Sequence, residues 1–231
     1  MFLNRGFIYA QKYSQPFITI KAATSLDGRM CLANEASKWI TSSLSRHHAH
    51  VLRAENDAVL VGVNTVLADN PELTVRHVPG INPLRIVLDS RLKTPVDAKV
   101  IGTDGKCVIL AGFKADKEKE TKLKDAGADI IRLPYYGSRI HLAEAMKRIL
   151  RKGILTLLVE GGSAVISAFM REGLADYLKM FIAPRIFGEG KGFNLKMNFE
   201  DVDHAYKLVN QKITLLGQDI MMEGLLTCSR D

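Results

Sequence analysis

Short apolar runs alternate with amphipathic stretches along most of this 231-residue chain. PFITIKAAT, DAVLVG, LRIVLD, KCVILAG, ADIIRLP and ILTLLVE read as buried strands, bounded by turn-forming residues such as SLDGR. Between them lie stretches with helical spacing. LSRHHAHVLRAE follows a capping Ser42 or Ser43, a charged helix is expected near 115–126, and IHLAEAMKRILRKG ends on a glycine stop. The last third changes character. DYLKMFIAPRIFG, YKLVNQKITLL and DIMMEGLLTC read as strands, the last two joined as a hairpin at Gly217-Gln218. The pattern predicts an α/β fold: a mainly parallel central sheet flanked by helices, with antiparallel C-terminal strands. With no repeat and no linker after residue 16, residues 16–231 are expected to form a single domain behind a surface lead-in, 1–15.

Composition narrows the function classes. At 47% hydrophobic and 25% charged residues the chain is globular, and no apolar run approaches a membrane span. Cys31, Cys107 and Cys228 are too far apart for a zinc site or a disulfide framework, which fits a reducing cytoplasm. The net charge of +7 favours an anionic partner. The densest basic block, FKADKEKETKLKD at 113–125, alternates Lys with Asp and Glu and reads as a solvated helix face. Scattered Arg and Lys suit a phosphorylated small ligand better than a nucleic acid or a membrane surface.

Four segments carry candidate chemistry. In LLVEGGSAVISAFMREG (157–173) a strand meets Glu160, then a diglycine, then Ser163 as the cap of an amphipathic helix. Backbone N–H groups and the helix dipole make such a bend a place for a phosphate. In the first strand Thr19, Lys21, Ala23 and Ser25 share one face. Lys21 either reaches a ligand or is an edge lysine whose stem snorkels to water. The loop after that strand holds Trp39, the only tryptophan, beside Ser37, Lys38 and Thr41; it either stacks on a flat heteroaromatic ring or packs in the core. VGVNTVLADNPELTVR (61–76) leaves a strand as a functional loop in which Asn70-Pro71 is also an ordinary turn. LDSRLKTP (88–95) puts Asp89 at a strand end to meet a ribose hydroxyl, or Ser90, Arg91 and Lys93 to hold a 2′-phosphate. His47, His48 and His50 read as a partly exposed helix face rather than metal ligands. No H-E-x-x-H accompanies them, so no metal centre is expected, and without G-x-S-x-G, G-x-G-x-x-G or a P-loop pattern no hydrolase elbow, ordinary Rossmann fingerprint or P-loop NTPase is expected.

ITIKAATSLDGRM, SKWITS, VLVGVNTVLADNPELTVR, LRIVLDS, LLVEGGSAVISAF and FIAPRIFGEG together resemble, in order, the reductase half of the bacterial bifunctional riboflavin-biosynthesis deaminase/reductase. The resemblance runs from about Pro16 onward, and the lead-in resembles that family's interdomain linker. It implies a dihydrofolate-reductase-like fold, a homodimer, and NADPH-dependent reduction of 5-amino-6-(5-phosphoribosylamino)uracil to its ribitylamino form. It places cofactor contacts on Ala23, Trp39, Thr65, Asp69, Ser90 and on Gly162, Ser163, Ala164, Val165, Ile166, Ser167 and Ala168. Substrate contacts fall on Ser37, Arg53, Leu73, Arg76 and Glu160. The H-x-E and P-C-x-x-C signature of the deaminase half is absent, so no deaminase activity is expected. The alternatives are a reductase of the still-aminated 2,5-diamino-6-ribosylamino-pyrimidinone phosphate or a related pyrimidine or pteridine, and a non-catalytic nucleotide-binding paralogue.

Within that reading Glu160 is the first candidate to bind the sugar hydroxyls and relay a proton, and Lys21 the second. Plain binding is the alternative for both. Arg53 and Arg76 suit a 5′-phosphate, because the guanidinium fork matches phosphate oxygens.

Overall fold

The computed structural model describes residues 4–34, 39–137, 139–193 and 199–227. The chain opens with α1 (Arg5–Tyr13), β1 (Phe17–Ser25), β2 (Cys31–Leu32), α2 (Ser43–Ala54), β3 (Ala58–Gly62) and α3 (Val63–Asp69). It continues through β4 (Leu84–Leu88), β5 (Cys107–Gly112), α4 (Lys117–Asp125), β6 (Asp129–Leu133), β7 (Tyr135–Tyr136), β8 (Arg139–Ile140) and α5 (Leu142–Arg151). The last elements are β9 (Thr156–Val159), α6 (Ser163–Arg171), β10 (Tyr177–Ala183), β11 (Gly190–Lys191), β12 (Leu208–Leu216) and β13 (Asp219–Leu226). They form two compact units, one from Met1–Phe17 and His50–Leu158, the other from Ile18–Ala49 and Val159–Asp231.

In the first unit β3, β4, β5 and β6 pair in parallel, in that order. β3 and β5 are buried along their whole length, which is why their sequences are continuous apolar runs instead of alternating ones. The Asp57 carboxylate accepts the backbone N–H groups of Leu155 and Thr156 at 2.8 and 2.9 Å, tying the start of β9 to the start of β3. α5 buries Leu142, Ala145, Met146 and Ile149, an i, i+3, i+4, i+7 stripe, and His141 caps it by accepting the Glu144 N–H. Arg85, 1% exposed, donates to the carbonyls of Val100 and Ile101 and to the Asp104 carboxylate, closing the loop between β4 and β5. The opening segment is ordered as α1, and Gly6 lies so close to the chain at Leu155–Thr156 that a Cβ would meet Thr156 Cγ2 at 2.7 Å.

In the second unit β1 and β10 pair in parallel, and β13 pairs antiparallel with both β10 and β12. Asp176 sets the first register: its carboxylate accepts the Ile18 N–H at 2.8 Å while its own N–H donates to the Ile18 carbonyl. The β12–β13 hairpin turns at Gly217, whose φ of +68° suits a residue without a Cβ. Ser42 N–H and Ser45 Oγ both donate to Asp219, which seats the start of α2. Ser42 Oγ accepts the Ser45 N–H, so Ser42 is the cap. The architecture is therefore α/β, mainly parallel, with antiparallel C-terminal strands. Among the described residues no helix is long and apolar enough to cross a membrane.

Candidate active site

The strand-to-helix bend lies in the second unit. β9 ends at Val159, Glu160 is half-buried, Gly161 is buried, and Gly162 is the N-cap of α6 with extended backbone. A Cβ on Gly161 would lie 2.6 Å from Val165 Cβ, so only glycine lets the chain turn this tightly onto its own helix. Ser163 was expected as the cap; it is instead the first helical residue, and no side chain caps α6. The diglycine displaces the cap by one position because Gly162 adopts the N-cap conformation itself. This first turn borders a cavity of about 390 Å³, lined by Ser163 and Gly190 to Phe193. Ile166, Ser167 and Ala168 are buried in the helix body, so the accessible part of the segment is Gly162 to Val165.

The other wall of that cavity was not read from the sequence. β11 pairs with β2, placing Lys191 opposite Cys31. The approach is glycine-only: a Cβ on Gly190 would sit 2.1 Å from the Cys31 carbonyl oxygen, and one on Gly192 2.8 Å from that of Gly28. The alternation Gly188, Gly190, Gly192 was the available signal. Asp27 secures the neighbouring turn, accepting from the Ser25 hydroxyl and from the N–H groups of Phe187 and Gly188. These bonds, the Ser25 hydroxyl first, hold its carboxyl down at about 2.

On β1, Lys21 and Ala23 are half-buried, and Lys21 Nζ lies 5.5 Å from the centre of the Phe181 ring. Trp39 is 66% exposed with φ +65°, and the Arg46 guanidinium sits 4.3 Å over its ring. Core packing is thus eliminated for Trp39, which presents a face to a cation already. Ser37 lies outside the described residues.

The first unit holds the remaining candidates. Arg53 Nη1 donates to the Thr74 carbonyl at 3.2 Å, and Arg76 Nη1 donates to Thr74 Oγ1 at 3.0 Å and to Glu72 at 2.5 Å. Leu73 is 3% exposed at φ +55°, so it offers backbone rather than side chain. The structure therefore brings Arg53, Leu73 and Arg76 around one residue, Thr74. The segment expected as an open loop begins as a helix: α3 carries Thr65, half-buried, and ends at the exposed Asp69. Asn70 caps it in the left-handed region and accepts the Lys99 N–H, so the Asp-Asn-Pro turn is a helix stop.

Asp89, which the sequence offers for a ribose hydroxyl as the alternative to Ser90, Arg91 and Lys93 on a 2′-phosphate, is 1% exposed, and its carboxylate accepts the N–H and Oγ1 of Thr94 and the N–H of Arg91. Its oxygens turn inward and shape the loop. The neighbouring Ser90 is half-buried, its carbonyl accepting from Gly112 N–H and Tyr135 Oη. The Tyr135 ring edge occupies the place a Gly112 side chain would take, a Cβ there lying 2.1 Å from Tyr135 Oη. It lines a cavity of about 520 Å³ together with Arg91, Lys114 and Asp116, where two cations meet the start of α4.

The triple-histidine helix also resolves. His47 is exposed, His48 lies 5.9 Å from the Phe181 ring, and His50 is buried against Thr74 and Arg76. Sequence reasoning missed Tyr135, Lys114 and Lys191 and placed His50 on a helix face only, because their partners lie far along the chain; Glu72, four residues before Arg76, was missed although its partner is local.

Residues 16–222 match the RibD C-terminal domain. The chain belongs to the RibD C-terminal domain family. It is 39% identical over 221 residues to the riboflavin biosynthesis protein RibD of Aquifex aeolicus, covering 95% of this chain and 60% of that one. It is 33% identical over 216 residues to the 2,5-diamino-6-ribosylamino-4(3H)-pyrimidinone 5′-phosphate reductase of Methanothermobacter thermautotrophicus, covering 90% of this chain and 97% of that one. The chain thus spans about three-fifths of the length of the RibD relative and nearly all of the reductase. Among solved structures, Acinetobacter baumannii RibD superimposes with a TM-score of 0.83 at 30% identity, over 97% of this chain and 62% of that one. The dihydrofolate reductase of Enterococcus faecalis, 15% identical, aligns with a TM-score of 0.51 over 91% of this chain and 97% of that one, a likeness of fold.

Proposed function

We propose that this chain is an NADPH-dependent pyrimidine reductase of riboflavin biosynthesis, reducing the ribosyl side chain of 5-amino-6-(5-phosphoribosylamino)uracil to the ribityl form. The observation that carries the reading is the grouping of Arg53 and Arg76 on Thr74, two guanidinium forks suited to the phosphate of such a substrate.

The residues fit the cofactor. Gly161 keeps the first turn of α6 clear of side chains, and Gly162, Ser163, Ala164 and Val165 offer backbone to a pyrophosphate, with Lys191 across the cavity. Arg91 and Lys114 suit a 2′-phosphate, and Ser90, Thr65, Asp69, Ala23 and Trp39 are the further contacts. When bound, the cofactor supplies hydride to the first sugar carbon of the substrate.

For that carbon to accept a hydride the sugar ring must open, leaving an imine. Glu160, half-buried at the strand end, binds the sugar hydroxyls and relays a proton to the imine nitrogen or the departing ring oxygen, which makes the carbon more electrophilic. Such help is worth about 10²–10⁴-fold. Lys21, held against Phe181, polarises the sugar end. Ser37 and Leu73 complete the substrate contacts, Leu73 through its backbone.

We place this activity in one domain, residues 16–231, acting in the cytoplasm as a homodimer. The exposed side of the C-terminal sheet supports the last point. Ile213, Met222 and Met180 form one row across β12, β13 and β10, and Leu215, Ile220 and Ile182 the next, all on one face. Ile213 and Leu215 are 59% and 73% exposed, an apolar patch of the kind a second copy would cover.

The near full-length likeness to the Methanothermobacter enzyme favours a second reading, in which the substrate is the still-aminated pyrimidinone. Purified protein offered each ribosylaminopyrimidine phosphate with NADPH, and followed by loss of NADPH absorbance, separates the two. Absence of turnover with both, together with no NADPH-induced rise in Tm, leaves a non-catalytic paralogue.

A further inference from the structure

We propose that His50 is a positioning residue that holds the Leu73–Arg76 backbone in the shape the substrate phosphate requires. The inference rests on the reading of Arg53 and Arg76 as phosphate ligands.

The loop does not hold that shape by its own preferences. Leu73 has φ +55°, where a branched residue is disfavoured, and stands between Asn70 and His77 at 43° and 66°, residue types that enter this region more readily. Such a backbone persists only when its surroundings over-determine it. Leu73 is anchored by burial, and Asn82 Oδ1 accepts the Val75 N–H at 2.8 Å. The third hold is His50, from the facing helix α2. Its Nδ1 lies 3.1 Å from the Thr74 carbonyl oxygen and 3.2 Å from the Arg76 backbone nitrogen.

One nitrogen cannot serve both contacts at once. With a proton on Nδ1 the ring donates to the Thr74 carbonyl, which Arg53 Nη1 also approaches at 3.2 Å. Without it, Nδ1 accepts the Arg76 N–H. In either state the same atom joins the helix carrying Arg53 to the backbone of the loop, at Thr74 when protonated and at Arg76 when not, while His77 packs edge-on against the ring at 5.6 Å between centres. The spacing of the two guanidinium groups is therefore set through Nδ1.

Two amides of similar size separate this from a packing role. His50→Asn places an amide near the position of Nδ1, where either of its ends serves either contact. His50→Gln reaches instead towards Nε2. Gln is the better helix former, so stability and function are expected to rank the variants in opposite orders.

The measurements are KM and kcat with the ribosylaminopyrimidine phosphate, affinity for ribose 5-phosphate by calorimetry, and Tm with and without NADPH. His50→Asn is expected to stay near wild type. His50→Gln is expected to raise KM and weaken ribose 5-phosphate by about tenfold, the scale of one lost hydrogen bond, with kcat and the NADPH-induced Tm rise retained. Wild-type KM and ribose 5-phosphate affinity in His50→Gln overturn the proposal, as does a loss in both variants that follows their Tm. Wild-type protein that neither turns over nor binds ribose 5-phosphate removes the functional reading, and this inference with it.

Discussion

The Glu72 carboxylate grips the Arg76 guanidinium at 2.5 Å, four residues along the same loop. Both side chains are 45% exposed, so the pair contributes little to stability. Its consequence lies in binding, because the carboxylate occupies a fork that a phosphate would take. Glu72→Gln is expected to lower KM for the phosphorylated substrate about two- to fivefold at low salt, and the gain should fade as ionic strength rises. Steady-state KM in a salt series checks this.

Arg76→Ala should raise KM for the same substrate by about tenfold or more, the scale of a lost charge-assisted hydrogen bond, with kcat much less affected. An unchanged KM would make Arg76 a residue of loop structure alone.

Glu160→Gln removes the charge and the proton relay while keeping the shape. Turnover is expected to fall by about 10²-fold or more, and NADPH affinity to stay within a few-fold of wild type. Parallel losses in kcat and in NADPH affinity, measured by fluorescence titration, would assign Glu160 to architecture.

Gly161→Ala introduces a Cβ that would lie 2.6 Å from Val165 Cβ. The bend must open to admit it, which displaces the first turn of α6. The NADPH-induced rise in Tm should shrink or vanish, while substrate-loop variants such as Glu72→Gln keep it. A full rise in Gly161→Ala would place the cofactor elsewhere.

Asp104 is bonded to the buried Arg85 and to the Lys106 N–H, and these contacts, Arg85 first, bring its carboxyl from 3.8 down to about 2. A depressed pKa means stabilisation that is complete above the unfolded value and is lost as pH falls from about 4 towards 2. Asp104→Asn should therefore cost stability at pH 7, about 1–3 kcal/mol given that Arg85 is left buried while Asp104 is partly solvated. Urea unfolding at pH 7 and at pH 2 should give curves for variant and wild type that converge at the lower pH.

Much of the fold was legible in the sequence because its signals are local. β1, β3, β4, β5, β6 and β9 fall on apolar runs, and α2, α4, α5 and α6 on stretches with helical period. α3 was hidden because seven residues between a glycine and an Asn-Pro turn are too few to display a period. The site was legible only where a motif carries its own geometry. The diglycine bend is such a case, whereas Asp89 looked like a ligand and is buried on Thr94, a contact no spacing rule announces.

The order of strands and helices, the glycine-dependent bend and the supply of arginines were determined by the sequence alone, because each depends on residues adjacent in the chain. The tertiary structure decided which way the polar atoms face. It turned Asp89 inward, exposed Trp39, brought Lys191 to the start of α6, and set His50 between Thr74 and Arg76. The physical reason is that a side chain's role follows from its partners: Lys191 and His50 meet theirs only when distant segments pack, and Asp89 meets Thr94 only once the loop between them has taken its shape.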